Sequence, residues 1–96
     1  MHVIEFFTAD WGEYCKQAET DIFKAIEQSG KEAEIKFTAY DINNDTYFDL
    51  LQRKFNKATK MESEDDPVIP FTIIDDKVVI VGYPEDMKER IMKLIK

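Results

Sequence analysis

Phe6-Phe7-Thr8-Ala9-Asp10-Trp11-Gly12-Glu13-Tyr14-Cys15-Lys16-Gln17-Ala18 is the stretch whose reading decides the fold. It starts as the end of an apolar run with Val3 and Ile4, breaks at Ala9 to Gly12, and becomes helix-compatible around Cys15, the only cysteine of the chain. The run from Val3 to Thr8 is too uniformly apolar for a strand with one wet face, and predicts a central strand covered on both sides, the habit of parallel strands in α/β domains. A thiol in the first turn of the following helix sits where backbone N–H groups and the helix dipole favour a thiolate.

Working outward, a first helix is expected from about Glu13 to Ser29, because Ala18, Ile22, Ala25 and Ile26 recur at helical spacing while Lys16, Glu19, Lys24, Glu27 and Gln28 take the other face. Gly30 is its natural stop. Ala33 to Asp41 alternates Ile35, Phe37 and Ala39 against Lys36, Thr38 and Tyr40, the period of a strand. Asn43, Asn44 and Asp45 supply helix-start chemistry, with Thr46 and Asp49 spaced as a weak capping box. Tyr47, Leu50, Leu51 and Phe55 form the expected buried stripe of a second helix ending near Lys57 or Ala58.

Lys57 to Asp66 is polar and ends in the acidic run Glu62 to Asp66, which reads as a surface loop or a frayed helix end. Val68 to Ile74 is expected as a third strand, Asp75-Asp76-Lys77 as a hairpin turn, and Val78 to Val81 as a fourth strand antiparallel to the third. Pro84 fits the first position of a last helix with Met87, Ile91, Leu94 and Ile95 as its core stripe. The order β-α-β-α-β-β-α with right-handed crossovers predicts an α/β domain, a four-stranded mixed sheet flanked by three helices, spanning residues 1–96 as a single domain.

Composition narrows the function. Twenty acidic residues against thirteen basic ones give a formal net charge of −7, which opposes binding to nucleic acid or anionic lipid. One cysteine excludes an internal disulfide and a cysteine metal cluster and fits a reducing compartment, so a cytoplasmic protein is expected; a monomer is expected as well. The start, MHVIEFF, lacks the regions of a signal peptide, and no run reaches the ~20 apolar residues of a membrane span. His2, the lone histidine, has no ligand-spaced partner and is expected to be a frayed terminal residue; neither metal nor cofactor is implied.

The Phe6 to Ala18 stretch resembles the active-site turn of the thioredoxin and glutaredoxin superfamily, F-x-A-x-W-C-x-x-C or C-P-Y-C-K-x-A. Aligned on Trp11, Tyr14, Cys15, Lys16 and Ala18, the family's second cysteine falls on Cys15 and its first on Gly12. The resemblance implies a thioredoxin-like fold in which three places converge: this turn, Pro70 as a cis-proline, and Gly82. It further implies that the backbone of Ile69 pairs with a bound peptide or glutathione, and that Val81 to Met87 is similar to a segment whose helix start holds a carboxylate. Gly82 there is expected to permit close approach, with the N–H groups of Glu85 and Asp86 free for an anion; an ordinary helix start is the other reading. The acid that many thioredoxins carry six residues before the first cysteine falls on Phe6, as in the glutaredoxin branch.

Each site residue admits a second, plainer reading. Trp11 is either a lip for a partner or a cover over the first helix; Tyr14 is either exposed or core-facing. Cys15 is either a reactive thiol or a small buried hydrophobe, and Asp10 and Glu13 disfavour a thiolate there while only Lys16 favours it.

Dithiol exchange needs one thiolate to attack and another to resolve, and Gly12 cannot attack. Two functions follow as expectations. One is a redox-disabled module that binds peptides or proteins through the groove around Trp11, Gly12, Glu13, Tyr14, Ile69, Pro70 and Gly82. The other is a single-thiol oxidoreductase or redox sensor acting through mixed disulfides at Cys15 in cell redox homeostasis. The single-cysteine glutaredoxins keep the opposite cysteine, which speaks against the second function and against an iron–sulfur cluster. The acidic run Glu62 to Asp66 is expected to border the groove, favouring partners with basic segments and disfavouring glutathione.

Overall fold

The computed structural model describes residues 2–59 and 69–95; the acidic run Glu62 to Asp66 lies outside them. The elements are β1 (His2–Thr8), α1 (Cys15–Ser29), β2 (Ile35–Asp41), α2 (Asp45–Thr59), β3 (Phe71–Ile74), β4 (Val78–Val81) and α3 (Met87–Ile95), with a 3-10 turn over Glu32–Glu34 before β2. The sheet order is β2-β1-β3-β4. Strands β1 and β2 are parallel, while β3 is antiparallel to both β1 and β4. The chain is thus an α/β domain with a mixed four-stranded sheet and three helices.

Period-two alternation in the sheet divides the core. Ile4, Phe6, Ile74 and Ile80 face Ala18, Ile22 and Ala25 of α1 and Met87, Ile91 and Ile95 of α3. Phe7, Phe71 and Ile73 face Leu51 and Phe55 of α2 on the other side. β1 lies between β2 and β3 under both layers, which is why its apolar run is nearly unbroken. Among the described residues no helix is long and apolar enough to cross a membrane.

Several boundaries differ from expectation for local reasons. Helix α2 is capped by Asn44, whose Oδ1 accepts from the Thr46 and Tyr47 N–H groups at 2.9 and 3.4 Å, instead of by a Thr46–Asp49 box. Tyr47 is consequently on the outside, edge-on to Tyr40, and Phe48 takes the half-buried place on the sheet. Strand β3 starts only at Phe71, because Ile69 and Pro70 form a bend. Helix α3 starts at Met87, not Pro84: Pro84 to Asp86 close a turn through Met87 N–H to Pro84 O at 3.1 Å. His2 is not frayed; it is a β1 residue whose Nδ1–H donates to Asp75 Oδ2 at 2.6 Å.

Candidate functional site

The end of the sheet at which β1 and β2 finish gathers the expected residues. Phe7 pairs with Phe71 and Phe71 with Val81, so Pro70 and Gly82 lie beside the point where the chain leaves β1. The Gly82 N–H donates to Pro70 O at 2.8 Å, tying the two together, and the Ile69–Pro70 peptide bond is cis. Ile69 is half-buried against the α2-side core. Gly82 has a φ of +74°, and nothing among the described residues comes within 4 Å of the place of a Cβ there, so its glycine serves the backbone turn.

The turn from β1 into α1 is held by two backbone hydrogen bonds, Gly12 N–H to Ala9 O at 3.1 Å and Cys15 N–H to Gly12 O at 3.4 Å. Tyr14 is the residue before the helix and gives it no side-chain cap. Cys15 begins α1 and is 2% exposed, packed inward with the α1 face. Its sulfur takes the room beside Gly12: a Cβ at position 12 would overlap Cys15 Sγ, and would stand 3.3 Å from Ala9 O. Gly12 has no positive φ to require glycine, so the close packing of the thiol is the steric reason for it. The sulfur therefore lies under the turn.

The aromatic residues behave oppositely. Trp11 is 66% exposed and Tyr14 48% exposed, one on each side of Gly12 and Glu13. Both are nevertheless positioned. Trp11 Nε1–H donates to Asn43 Oδ1 at 3.0 Å, and Asn43 Nδ2–H donates to Asp10 Oδ1 at 3.0 Å, so one amide after β2 clamps two residues of the turn. Asn43 is itself fixed by its backbone N–H to Asp41 Oδ1 at 2.9 Å. Tyr14 stacks on Tyr83 with ring centres 6.0 Å apart, and the Tyr83 hydroxyl donates to Asp21 Oδ2 at 2.7 Å. That hydrogen bond, with some desolvation, raises the Tyr83 pKa above the usual tyrosine value, so the phenol stays protonated.

Neither Asn43 nor Tyr83 carries a sequence signal for this site. Asn43 was assigned to the start of α2, and its side chain is used one step earlier, between loops; Tyr83 belongs to the Gly82 segment but signals nothing alone. Asp10 and Glu13 of the turn, Asp41 and Asp45 of the β2–α2 corner, and Glu85 after Gly82 are all exposed, as is Lys16. The exposed charges on the segments that carry the two rings are thus mainly acidic. No three His, Cys, Asp or Glu side chains among the described residues converge as metal ligands. No protein-family model matches the chain, and no curated protein does.

Proposed function

We propose that this chain is a thioredoxin- and glutaredoxin-like domain without a dithiol site, working as a docking module for an extended, basic segment of a partner protein. The family reading draws support from the strand order β2-β1-β3-β4, the element order, and the placing of the Trp11 turn, Pro70 and Gly82 at one end of the sheet. One observation carries the function: the thiol is 2% exposed while the rings beside it are 66% and 48% exposed. A surface made for sulfur exchange would present the sulfur, whereas this one presents aromatic area and carboxylates. Exposed aromatics with restricted rotation bury much area at little entropic cost, and Asp10, Glu13, Asp41, Asp45 and Glu85 favour lysine or arginine in the segment that covers them. The partner's backbone pairs beside Ile69, and a monomer in the reducing cytoplasm suits a chain with one cysteine.

The competing single-thiol oxidoreductase requires Cys15 Sγ to meet an incoming disulfide, which its burial opposes. Both are tested together. Iodoacetamide should label Cys15 far more slowly in the native protein than in urea-unfolded protein. A capped octapeptide repeating Lys-Lys-Val-Val should change Trp11 fluorescence and shift the Ile69 amide. A native labelling rate at or above that of free cysteine would establish the thiol enzyme instead, and a Trp11 signal indifferent to the peptide would remove the docking site.

A further inference from the structure

Strand β4 is an outer strand of the sheet, so its outer row of backbone N–H and C=O groups faces away from β3. Exposed edges are usually defended by proline, an inward-pointing charge or a bulge. The sequence Val78-Val79-Ile80-Val81 contains neither a proline nor a charge and pairs in unbroken register with Phe71–Ile74. Val78 and Val81 are both exposed. The strand's shortness, four residues, is its one defence of this kind, and an apolar edge without the others remains a template for another strand of matching length.

Both faces of that edge carry cations. On the α3 side a groove of about 270 Å³ runs over Val78, Ile80 and Leu94 and is rimmed by Arg90 and Lys93. On the α2 side a cavity of about 310 Å³ has Ile73 and Val79 for its floor and Lys54, Lys57 and Lys77 at its rim, with Asp76 the one carboxylate among the described lining residues. Lys54 is engaged by Glu5 at 2.9 Å and Arg90 by Asp86 at 2.9 Å. Lys57, Lys77 and Lys93 have no ion pair among the described residues. In a chain of net charge −7 this edge is locally basic on both sides.

We propose that the β4 edge is a docking site for an extended acidic segment of a second protein, which adds as a fifth strand. An added strand sends alternate side chains to opposite faces of the sheet. Each face here offers an apolar floor with ammonium groups beside it, so acidic and apolar residues on both sides of the incoming strand find matched surroundings. The charges reject the other occupants. A second copy would bring its own Lys77 and Lys93 against those of the first along a strand of only four residues. The opposite edge, β2, borders a groove rimmed by Glu27 and Glu32, which repels the same acidic segment.

The site is independent of the Trp11 surface and is read by different reporters. A capped octapeptide repeating Glu-Glu-Val-Val, titrated into the isotope-labelled full chain, should shift the amides of Val78 to Val81 and slow their hydrogen exchange. The Lys-Lys-Val-Val peptide should leave those amides unmoved. The double substitution Lys77→Glu with Lys93→Glu, whose side chains are exposed, should weaken binding by about tenfold while the rest of the amide spectrum is kept. The proposal is overturned by β4 amides that do not respond, by affinity unchanged in the double variant, by equal response to both peptides, or by β4 shifts that grow with protein concentration alone.

Discussion

Gly12 and Cys15 occupy one space: the sulfur of the second lies where the side chain of any residue other than glycine at the first would begin. The Cys15 sulfur fills the room that a side chain at position 12 would take. The thiol's burial is thus coupled to the absence of a side chain at position 12.

Gly12→Ala should therefore force Cys15 to rotate out. Overpacking of this kind costs about 1–3 kcal/mol, and the displaced thiol should gain exposure. Urea unfolding should show the loss of stability, and iodoacetamide labelling of the native variant should be several times faster than in the parent. A stable variant with an equally protected thiol would show that the turn, not the sulfur, yields. Gly12→Cys places a second Cβ 3.3 Å from Cys15 Cβ, just short of the ~3.5–4.5 Å of a disulfide. Incubated with oxidised glutathione, which accepts the two electrons and leaves as two reduced glutathione molecules, the variant should reach a form with neither thiol titratable after a shift of a few tenths of an ångström; thiols that stay titratable would show that the turn cannot make that shift.

Thr72 is fully buried in β3, and its Oγ1 has no hydrogen-bond partner among the described residues. Its cross-strand neighbours are Phe6 and Ile80, both part of the apolar core under α1 and α3. An unpaired buried hydroxyl costs about 1–3 kcal/mol, and valine fills nearly the same shape. Thr72→Val should raise the unfolding free energy by about 1 kcal/mol, read as a higher urea midpoint at unchanged slope. A neutral or destabilising result would mean that the hydroxyl is satisfied.

The sheet was legible because its signals are periodic and redundant: alternation in β2, a β1 that is apolar from Val3 to Phe7 but for Glu5, and a hairpin whose two strands flank Asp75 and Asp76. Those two aspartates adopt positive φ of 54° and 56°, a conformation that aspartate tolerates better than most residues. The cis bond at Pro70 came from the family resemblance and from no local pattern. Asn43 and His2 were misjudged because each acts across a long sequence separation, on Trp11 and on Asp75, and a one-dimensional pattern carries no signal for such contacts. Tyr47 and Phe48 exchanged roles for a smaller reason. Capping by Asn44 fixes where α2 starts, and with it which of two adjacent rings faces the sheet.

Asp75 accepts from His2 Nδ1–H at 2.6 Å and from the Val3 N–H at 2.8 Å, and these hydrogen bonds, His2 foremost, hold its carboxyl below the usual aspartate range. A depressed native value means that the carboxylate's contribution is complete above the unfolded aspartate pKa of about 3.9 and disappears as pH falls through the native one. Its side chain is about a third exposed, so Asp75→Asn should cost only about 0.5–1 kcal/mol at pH 7. Asparagine keeps the turn conformation and an acceptor for Val3. The stability curves of parent and variant should converge as the pH falls below about 4 and through the depressed native pKa; a gap that persists in acid would assign the loss to the turn instead of the charge.

Asn43→Ala separates ordering of Trp11 from its presence. The amide bonds both Trp11 and Asp10 at 3.0 Å, and all three residues are exposed, so the loss in global stability should stay within about 1 kcal/mol. The indole should then rotate more freely, and its fluorescence anisotropy should fall. If the docking surface works through a pre-positioned ring, the Lys-Lys-Val-Val peptide should bind severalfold more weakly to Asn43→Ala, because ordering the ring then opposes binding. Trp11→Ala should weaken it further, since the contact area itself is gone. Equal affinity in parent and Asn43→Ala, with anisotropy demonstrably lowered, would show that the clamp orders a residue the partner does not use, and would move the contact to Tyr14 and Tyr83.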